Sequence, residues 1–214
     1  MRVRNLVVIV LPAAAIAIVA LALQSWVDAR VGEAAFLLAM LPAPLVAPDV
    51  VRWLRGRDDL AGALVLGSAV VWVALAAVRG DLASGRAMGP LEVFVIASMA
   101  ANVVPRARDR LLGVIVWTQR LAAVVLVGAG LVAAHVDPAA FGGAVALFVA
   151  GIAAASLAAL ATGRELRAAV WGAGLRDPAL AAAVGWSLSS AALTLALAYA
   201  ALCIVAAAVF ASRR

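Results

Sequence analysis

The chain has 214 residues, of which 67% are hydrophobic and only 13% are charged. A soluble domain of this length would carry about twice that charged fraction, so the composition excludes an ordinary soluble globular protein. With one Cys and one His, the chain can form neither a disulfide framework nor a zinc site of the usual ligand set.

The formal net charge is +6, and every basic residue is an arginine. In a soluble protein such a balance would suggest a nucleic-acid partner. Here the arginines flank apolar segments, a pattern typical of membrane proteins whose cytoplasmic loops are positively charged. We therefore expect the lipid bilayer as a partner and no nucleic acid.

Apolar stretches near or beyond the roughly 18 residues needed to cross the hydrocarbon core recur along the chain. Splitting the sequence at charges and at Gly and Pro turns predicts an all-α integral membrane protein with eight transmembrane segments. Their bounds are 5–24, 33–55, 59–79, 90–105, 112–134, 140–161, 166–187 and 189–211. A single crossing from Pro178 onward would give seven segments instead, and would leave Ala168 to Leu175 without a role.

The distribution of arginine favours the eight-segment arrangement. With the N-terminus inside, only Arg30, Arg79 and Arg86 fall in outer loops, and most of the other arginines are cytoplasmic. This asymmetry predicts a multi-pass protein of the cell (cytoplasmic) membrane with both termini in the cytoplasm.

The second predicted segment contains a break. Pro44 and Pro48 cannot donate backbone hydrogen bonds, so carbonyls one turn earlier are freed. Asp49 then begins a new stretch of helix, where the positive end of the helix dipole favours an acid.

The seventh predicted segment is broken at Arg176-Asp177-Pro178, after Gly172 and Gly174 have loosened the helix. Asp177 fits an N-cap position, with a proline in the following first turn. The second and seventh segments cross in opposite directions, as an inverted-topology repeat requires. Such paired breaks offer freed carbonyls to a cation and amide dipoles to an anion. The plainer alternative is two structural kinks, with Asp177 neutralising Arg176.

The residues at both breaks resemble those of a known family. The stretch from Gly174 to Ala181 resembles the signature of the bile acid:sodium symporter superfamily, in which Glu-x-Gly-x-Gln-Asn-x-x-Leu-Ala marks the penultimate, broken helix. The stretch from Leu41 to Asp49, followed by Leu54 to Arg57, resembles the family's first broken helix. The resemblance implies a ten-helix inverted repeat of which this chain would lack the first two helices.

The same resemblance implies a division of the chain and a set of site residues. Residues 1–214 would form a single polytopic membrane domain, with core-like spans 5–79 and 140–211 and panel-like spans 90–134. The implied residues for binding substrate or ion are Pro48, Asp49, Ser68, Gly174, Arg176 and Asp177. Because Arg176 and Asp177 replace the family's Gln and Asn, and Pro48-Asp49 replace its Ser-Asn, both sodium and proton coupling stay open. Ser68 either supplies a hydroxyl ligand or bonds its own backbone.

These patterns predict a secondary transporter that moves a small organic anion by alternating access, without a resident cofactor. Because the panel would be short, two alternatives to a transporter that acts as a single chain stay open. The transporter could be a homo-oligomer, or the chain could be a non-transporting membrane subunit or remnant of a transporter family. An intramembrane aspartyl protease is a third, but its Tyr-Asp and Gly-x-Gly-Asp settings are absent, so we expect no enzyme. Asp177 also lies beside Arg176, which favours an ionised carboxylate over a shared proton.

Overall fold

The computed structural model describes residues 3–44, 47–78, 137–177 and 189–212. The predicted segments 90–105 and 112–134 lie outside these residues, as does the second half of the predicted segment 166–187. The helices are α1 (Val3–Trp26), α2 (Ala29–Met40), α3 (Ala47–Trp53), α4 (Asp58–Val78), α5 (Pro138–Thr162), α6 (Leu166–Ala169) and α7 (Ser190–Ser212). A π-helical turn, Val170–Gly174, follows α6 directly.

The described part of the chain is helical and contains no β-strand, which confirms the predicted all-α class at that level. Three of its helices are long and apolar enough to cross a membrane: Arg4–Trp26, Pro138–Thr162 and Ser190–Ala207. These helices also expose large apolar side chains, such as Ile18 at 66% and Leu160 at 79%. Apolar surface of this kind is suited to a lipid solvent rather than to water.

Four predicted segments coincide with single helices whose ends lie within about two residues of the predicted ones, namely α1, α4, α5 and α7. The ends of α5 illustrate how local residues set the bounds of a helix. Asp137 caps the first turn by accepting a hydrogen bond from the backbone N–H of Ala139 at 2.9 Å. The helix stops at Gly163, whose φ of +64° is the left-handed conformation that favours glycine.

The predicted segment 33–55 is two helices, α2 and α3, separated by an extended stretch. The α-helical bonding of α2 ends at Met40, and Leu41 adopts an extended conformation with ψ of 152°. Because Pro42 and Pro44 have no N–H, the helix cannot continue through them. Asp49 lies in the first turn of α3, as the sequence predicts.

The predicted segment 166–187 also breaks where the sequence indicates. After α6 the backbone widens into the π-turn, in which the N–H of Leu175 donates to the carbonyl of Val170 at 2.9 Å. Glycine allows this turn to press against its neighbours. A Cβ built on Gly174 would lie 2.6 Å from the Cβ of Ala155 in α5, and one on Gly172 would lie 3.0 Å from the carbonyl oxygen of Ala61 in α4. The π-turn is therefore wedged between α4 and α5.

Two polar turns meet at one end of the molecule. The backbone N–H of Arg57 donates to the Glu165 carboxylate at 2.8 Å, and Arg167 Nη1 donates to the carbonyl of Leu54 at 2.6 Å. The turn between α3 and α4 therefore contacts the turn between α5 and α6. This end carries the arginines Arg52, Arg55, Arg57, Arg164 and Arg167.

Candidate functional site at the crossing of the two helix breaks

The two breaks are in direct contact inside the protein. The backbone N–H of Asp177, in the second break, donates to the carbonyl of Pro42, in the first, at 3.0 Å. Arg176 Nε donates to the carbonyl of Ala39 at 3.1 Å, across 137 positions of the chain. We call this set of contacts the crossing.

Arg176 joins the ends of two helical segments. Its Nε bonds Ala39 in the last turn of α2, and its Nη1 bonds the carbonyl of Ala173 in the π-turn at 3.0 Å. Carbonyls in the last turn of a helix lack intrahelical partners and carry the negative end of the helix dipole. The guanidinium is thus held between two electronegative helix ends, with the residue only 2% exposed.

These two carbonyls can accept from Arg176 because the backbone N–H groups that would normally donate to them bond elsewhere. In a continuous α-helix, Ala39 would accept from the N–H of Ala43, and Ala173 would accept from that of Asp177. The N–H of Ala43 instead donates to Ser68 Oγ at 2.9 Å, and that of Asp177 donates to Pro42. In each break the backbone N–H therefore donates to another element, and the carbonyl accepts a hydrogen bond from Arg176.

Ser68 connects the first break to α4, the helix in which it lies. Its hydroxyl accepts from the N–H of Ala43 and donates to the carbonyl of Val65 at 2.8 Å. The residue is 7% exposed, so both bonds are buried. The expected bond from Ser68 to its own helix is present, together with a bond to the first break that the sequence did not predict.

Tyr199 of α7 is a member of the site that the sequence analysis missed. Its hydroxyl accepts from the backbone N–H of Arg176 at 2.9 Å, and its ring packs edge-to-face on Phe148 of α5 at a centroid distance of 6.0 Å. The side chain is fully buried. One signal could have found it, since it is the single tyrosine of the chain and lies in an otherwise apolar helix.

The predicted site residues fall into two groups. Ser68, Gly174, Arg176 and Asp177 lie at the crossing, where Asp177 is 1% exposed. Asp49 does not share this burial, since its carboxylate lies 3.8 Å from Arg52 Nη1 and its side chain is 40% exposed.

Pro48 packs towards α4 rather than towards the guanidinium. Its Cγ lies 3.8 Å from a Cβ built on Gly62. Pro48 and Asp49 thus belong to the start of α3, which leads away from the crossing towards the arginine-rich end.

A cavity of about 290 Å³ lies beside the crossing. Arg176 and Ser68 are the only polar residues that line it in the part of the chain that the structure describes. Its other lining residues are Ile9, Val10, Ala13, Ala14 and Ala17 of α1 and Ala39, Met40 and Leu41 at the end of α2. A cavity with an apolar wall and one cationic residue is chemically suited to an anion with an apolar body.

The described ranges hold no group of three or more His, Cys, Asp or Glu residues that could bind a metal ion. The lone Cys203 is 4% exposed in α7, where it packs as a small apolar residue. No protein-family model matches the chain, and a search of curated proteins finds no significant match.

Proposed function

We propose that this chain is a secondary-transporter-like protein of the cell membrane, which moves a small organic anion by alternating access. One observation carries the proposal: two broken helices meet at a buried arginine that lines a cavity. Discontinuous helices that meet at a binding site are a recurring device of secondary transporters. The resemblance of both breaks to the bile acid:sodium symporter superfamily supports the same proposal.

The charge of Arg176 supports an anionic substrate. An arginine at membrane depth is costly and usually faces the interior or a cavity that has a function. Two carbonyl dipoles stabilise the guanidinium, and the buried Asp177 is the next residue in the chain. An anion in the adjacent cavity would meet Arg176 at the cavity wall, and the alanines of α1 would contact its apolar part.

Alternating access requires one group of helices to move against another. We assign the core-like spans 5–79 and 140–211 to one group and the panel-like spans 90–134 to the other. The close contacts of Gly172 with α4 and Gly174 with α5 support a core that moves as one piece. A second copy of the chain would extend the short panel, and both termini would lie in the cytoplasm.

The test is flux through purified protein in liposomes. Radiolabelled alkyl sulfonates of increasing chain length are suitable probes, because a sulfonate stays ionised and does not leak through lipid as a neutral acid. We expect saturable uptake above that of protein-free vesicles. Arg176→Gln should abolish this uptake, whereas Arg167→Gln at the polar end should preserve it. Flux equal to that of protein-free vesicles for every probe, from protein shown to be folded, would argue against transport.

A non-transporting membrane subunit is the second candidate, and one observation favours it. Arg176 already bonds the carbonyls of both breaks, so it also serves as a structural link that needs no substrate. This candidate predicts that Arg176→Gln lowers stability while no tested anion crosses the vesicle membrane. We propose no catalytic role for the crossing, where Asp177 lies beside Arg176 and Asp49 is half-exposed on another face.

A further inference from the structure

We infer that Arg176 is a tethered cation. Its guanidinium occupies the position between the Ala39 and Ala173 carbonyls, here called the seat, where a free cation would otherwise bind. The consequence for the proposed function, on which this step rests, is that anion movement requires no sodium. The seat itself is a separate structural statement and is tested by stability rather than by flux.

The carbonyls that make the seat come from two different elements. Ala39 belongs to the end of α2 and Ala173 to the π-turn, and both donors that would normally satisfy these carbonyls are used elsewhere. Freed carbonyls of broken helices are the groups that bind coupling cations in transporters built on discontinuous helices. Here both bond the guanidinium, at 3.1 and 3.0 Å.

The position of the guanidinium is fixed by more than its own two bonds. The backbone N–H of Arg176 is bonded to Tyr199, and that of the next residue, Asp177, to Pro42. With its backbone anchored at both places and only 2% of the residue exposed, the side chain has little room to leave the seat. A permanent positive charge, which arginine keeps at all physiological pH values, replaces an exchangeable one.

A tethered cation also removes a step from the transport cycle. A free coupling ion would have to enter and leave in each cycle, whereas Arg176 stays with the protein. The transport cycle would then need no sodium gradient.

The first experiment measures the melting temperature of wild-type protein in detergent, with sodium replaced by choline at constant ionic strength. A filled seat predicts the same Tm in both salts, together with no saturable binding of ²²Na⁺. A Tm that falls without sodium, or saturable ²²Na⁺ binding, would overturn the inference.

The second experiment empties the seat with Arg176→Ala and adds millimolar guanidinium, far below denaturing concentrations. Binding of the free ion to the vacated carbonyls should raise the Tm of the variant by at least about 3 °C, growing with the logarithm of guanidinium concentration. Arg167→Ala is the matched control, because Arg167 also bonds a helix-end carbonyl, that of Leu54, but is only partly buried. No rise for Arg176→Ala, or an equal rise for both variants, would contradict the seat.

If Arg176→Ala does not fold, Arg176→Met provides the same test, because its neutral side chain fills much of the space but leaves both carbonyls without a cation. Its Tm should lie below that of the wild type and rise with guanidinium. The outcomes also separate the two proposals. Sodium-independent stability without flux would retain the seat and refute transport, whereas sodium-dependent flux would retain transport and refute the seat.

Discussion

The backbone N–H of Asp177 donates to the carbonyl of Pro42 at 3.0 Å, and this bond joins the centres of two interrupted helices. It removes the donor that Ala173 would need to continue its own helix. Pro178, the next residue in the sequence, has no N–H to donate to a carbonyl one turn earlier. The bond between the breaks therefore also leaves the Ala173 carbonyl to accept from Arg176.

Ser68→Ala should weaken the first break. The change leaves the buried N–H of Ala43 without its acceptor, which costs about 1–3 kcal/mol in the free energy of unfolding. Thermal denaturation in detergent, with helix content followed by circular dichroism, measures the loss. Thr194→Val is the control, since the Thr194 hydroxyl makes an exposed hydrogen bond within its own helix, to the carbonyl of Ser190. A Tm loss no larger than that of the control would mean that Ser68 does not support the break.

Tyr199→Phe should destabilise the second break by a similar amount. The ring and its edge-to-face contact with Phe148 are kept, and only the acceptor for the N–H of Arg176 is lost. We expect a loss of about 1–3 kcal/mol, because the orphaned N–H is fully buried. Phe148→Leu tests the ring contact separately and should cost about 0.5–1.5 kcal/mol beyond the area it buries. A wild-type Tm for Tyr199→Phe would contradict the assigned bond.

Gly151→Ala should disrupt the wedge between α5 and the π-turn. A Cβ at this position would collide with the carbonyl oxygen of Gly174, a backbone atom that cannot move aside alone. Overpacking of this kind costs about 1–3 kcal/mol or more. Gly142→Ala in the same helix meets nothing within 4 Å and should be neutral or stabilising. Equal Tm values for the two variants would show that the close approach is not required.

The polar end should show a weak dependence on acid. The hydrogen bond from Arg52 at 2.7 Å holds the pKa of the Asp58 carboxyl below its usual range. A lowered folded-state pKa gives stability that is present above the unfolded pKa and is lost as pH falls through the folded one. Both side chains are exposed, at 66% and 37%. Solvent screening therefore limits the contribution of this pair to the free energy of unfolding to about 0.2–0.5 kcal/mol.

The measurement compares Arg52→Gln with the wild type at about pH 7 and about pH 3. The variant should lose a small amount of stability at the higher pH and less at the lower one. High salt should reduce the difference at about pH 7, since the pair is open to solvent. A difference of equal size at both pH values would assign the role of Arg52 to packing.

The breaks could be predicted from the sequence because their causes are local. Pro42, Pro44 and the glycines Gly172 and Gly174 act on the backbone at their own positions, whatever surrounds them. The ends of α5 also have local causes, which the structure shows at Asp137 and Gly163. Helix length and apolar composition then predicted the membrane class.

The partners at the crossing could not be predicted in the same way. Nothing near Arg176 in the sequence indicates that Ala39 supplies a carbonyl to it, because an alanine carbonyl has no distinct signature. Tyr199 was missed for the same reason, since its role depends on α7 packing against α5 and α2 next to the second break. Asp49 was placed at the site because it lies beside a break, whereas the direction of α3 carries it towards Arg52.

The crossing of the two breaks is the central claim, and a disulfide tests it without knowledge of any substrate. Pro42→Cys and Asp177→Cys, in a Cys203→Ala background with a protease site inserted between Arg106 and Arg110, place two thiols where the backbones are hydrogen-bonded. That spacing is compatible with disulfide geometry. After oxidation and cleavage we predict that the two fragments migrate together until reduced, whereas Pro42→Cys with Gly142→Cys should give separate fragments. Separate fragments from the first pair, in protein that remains folded, would contradict the crossing and with it the proposed site.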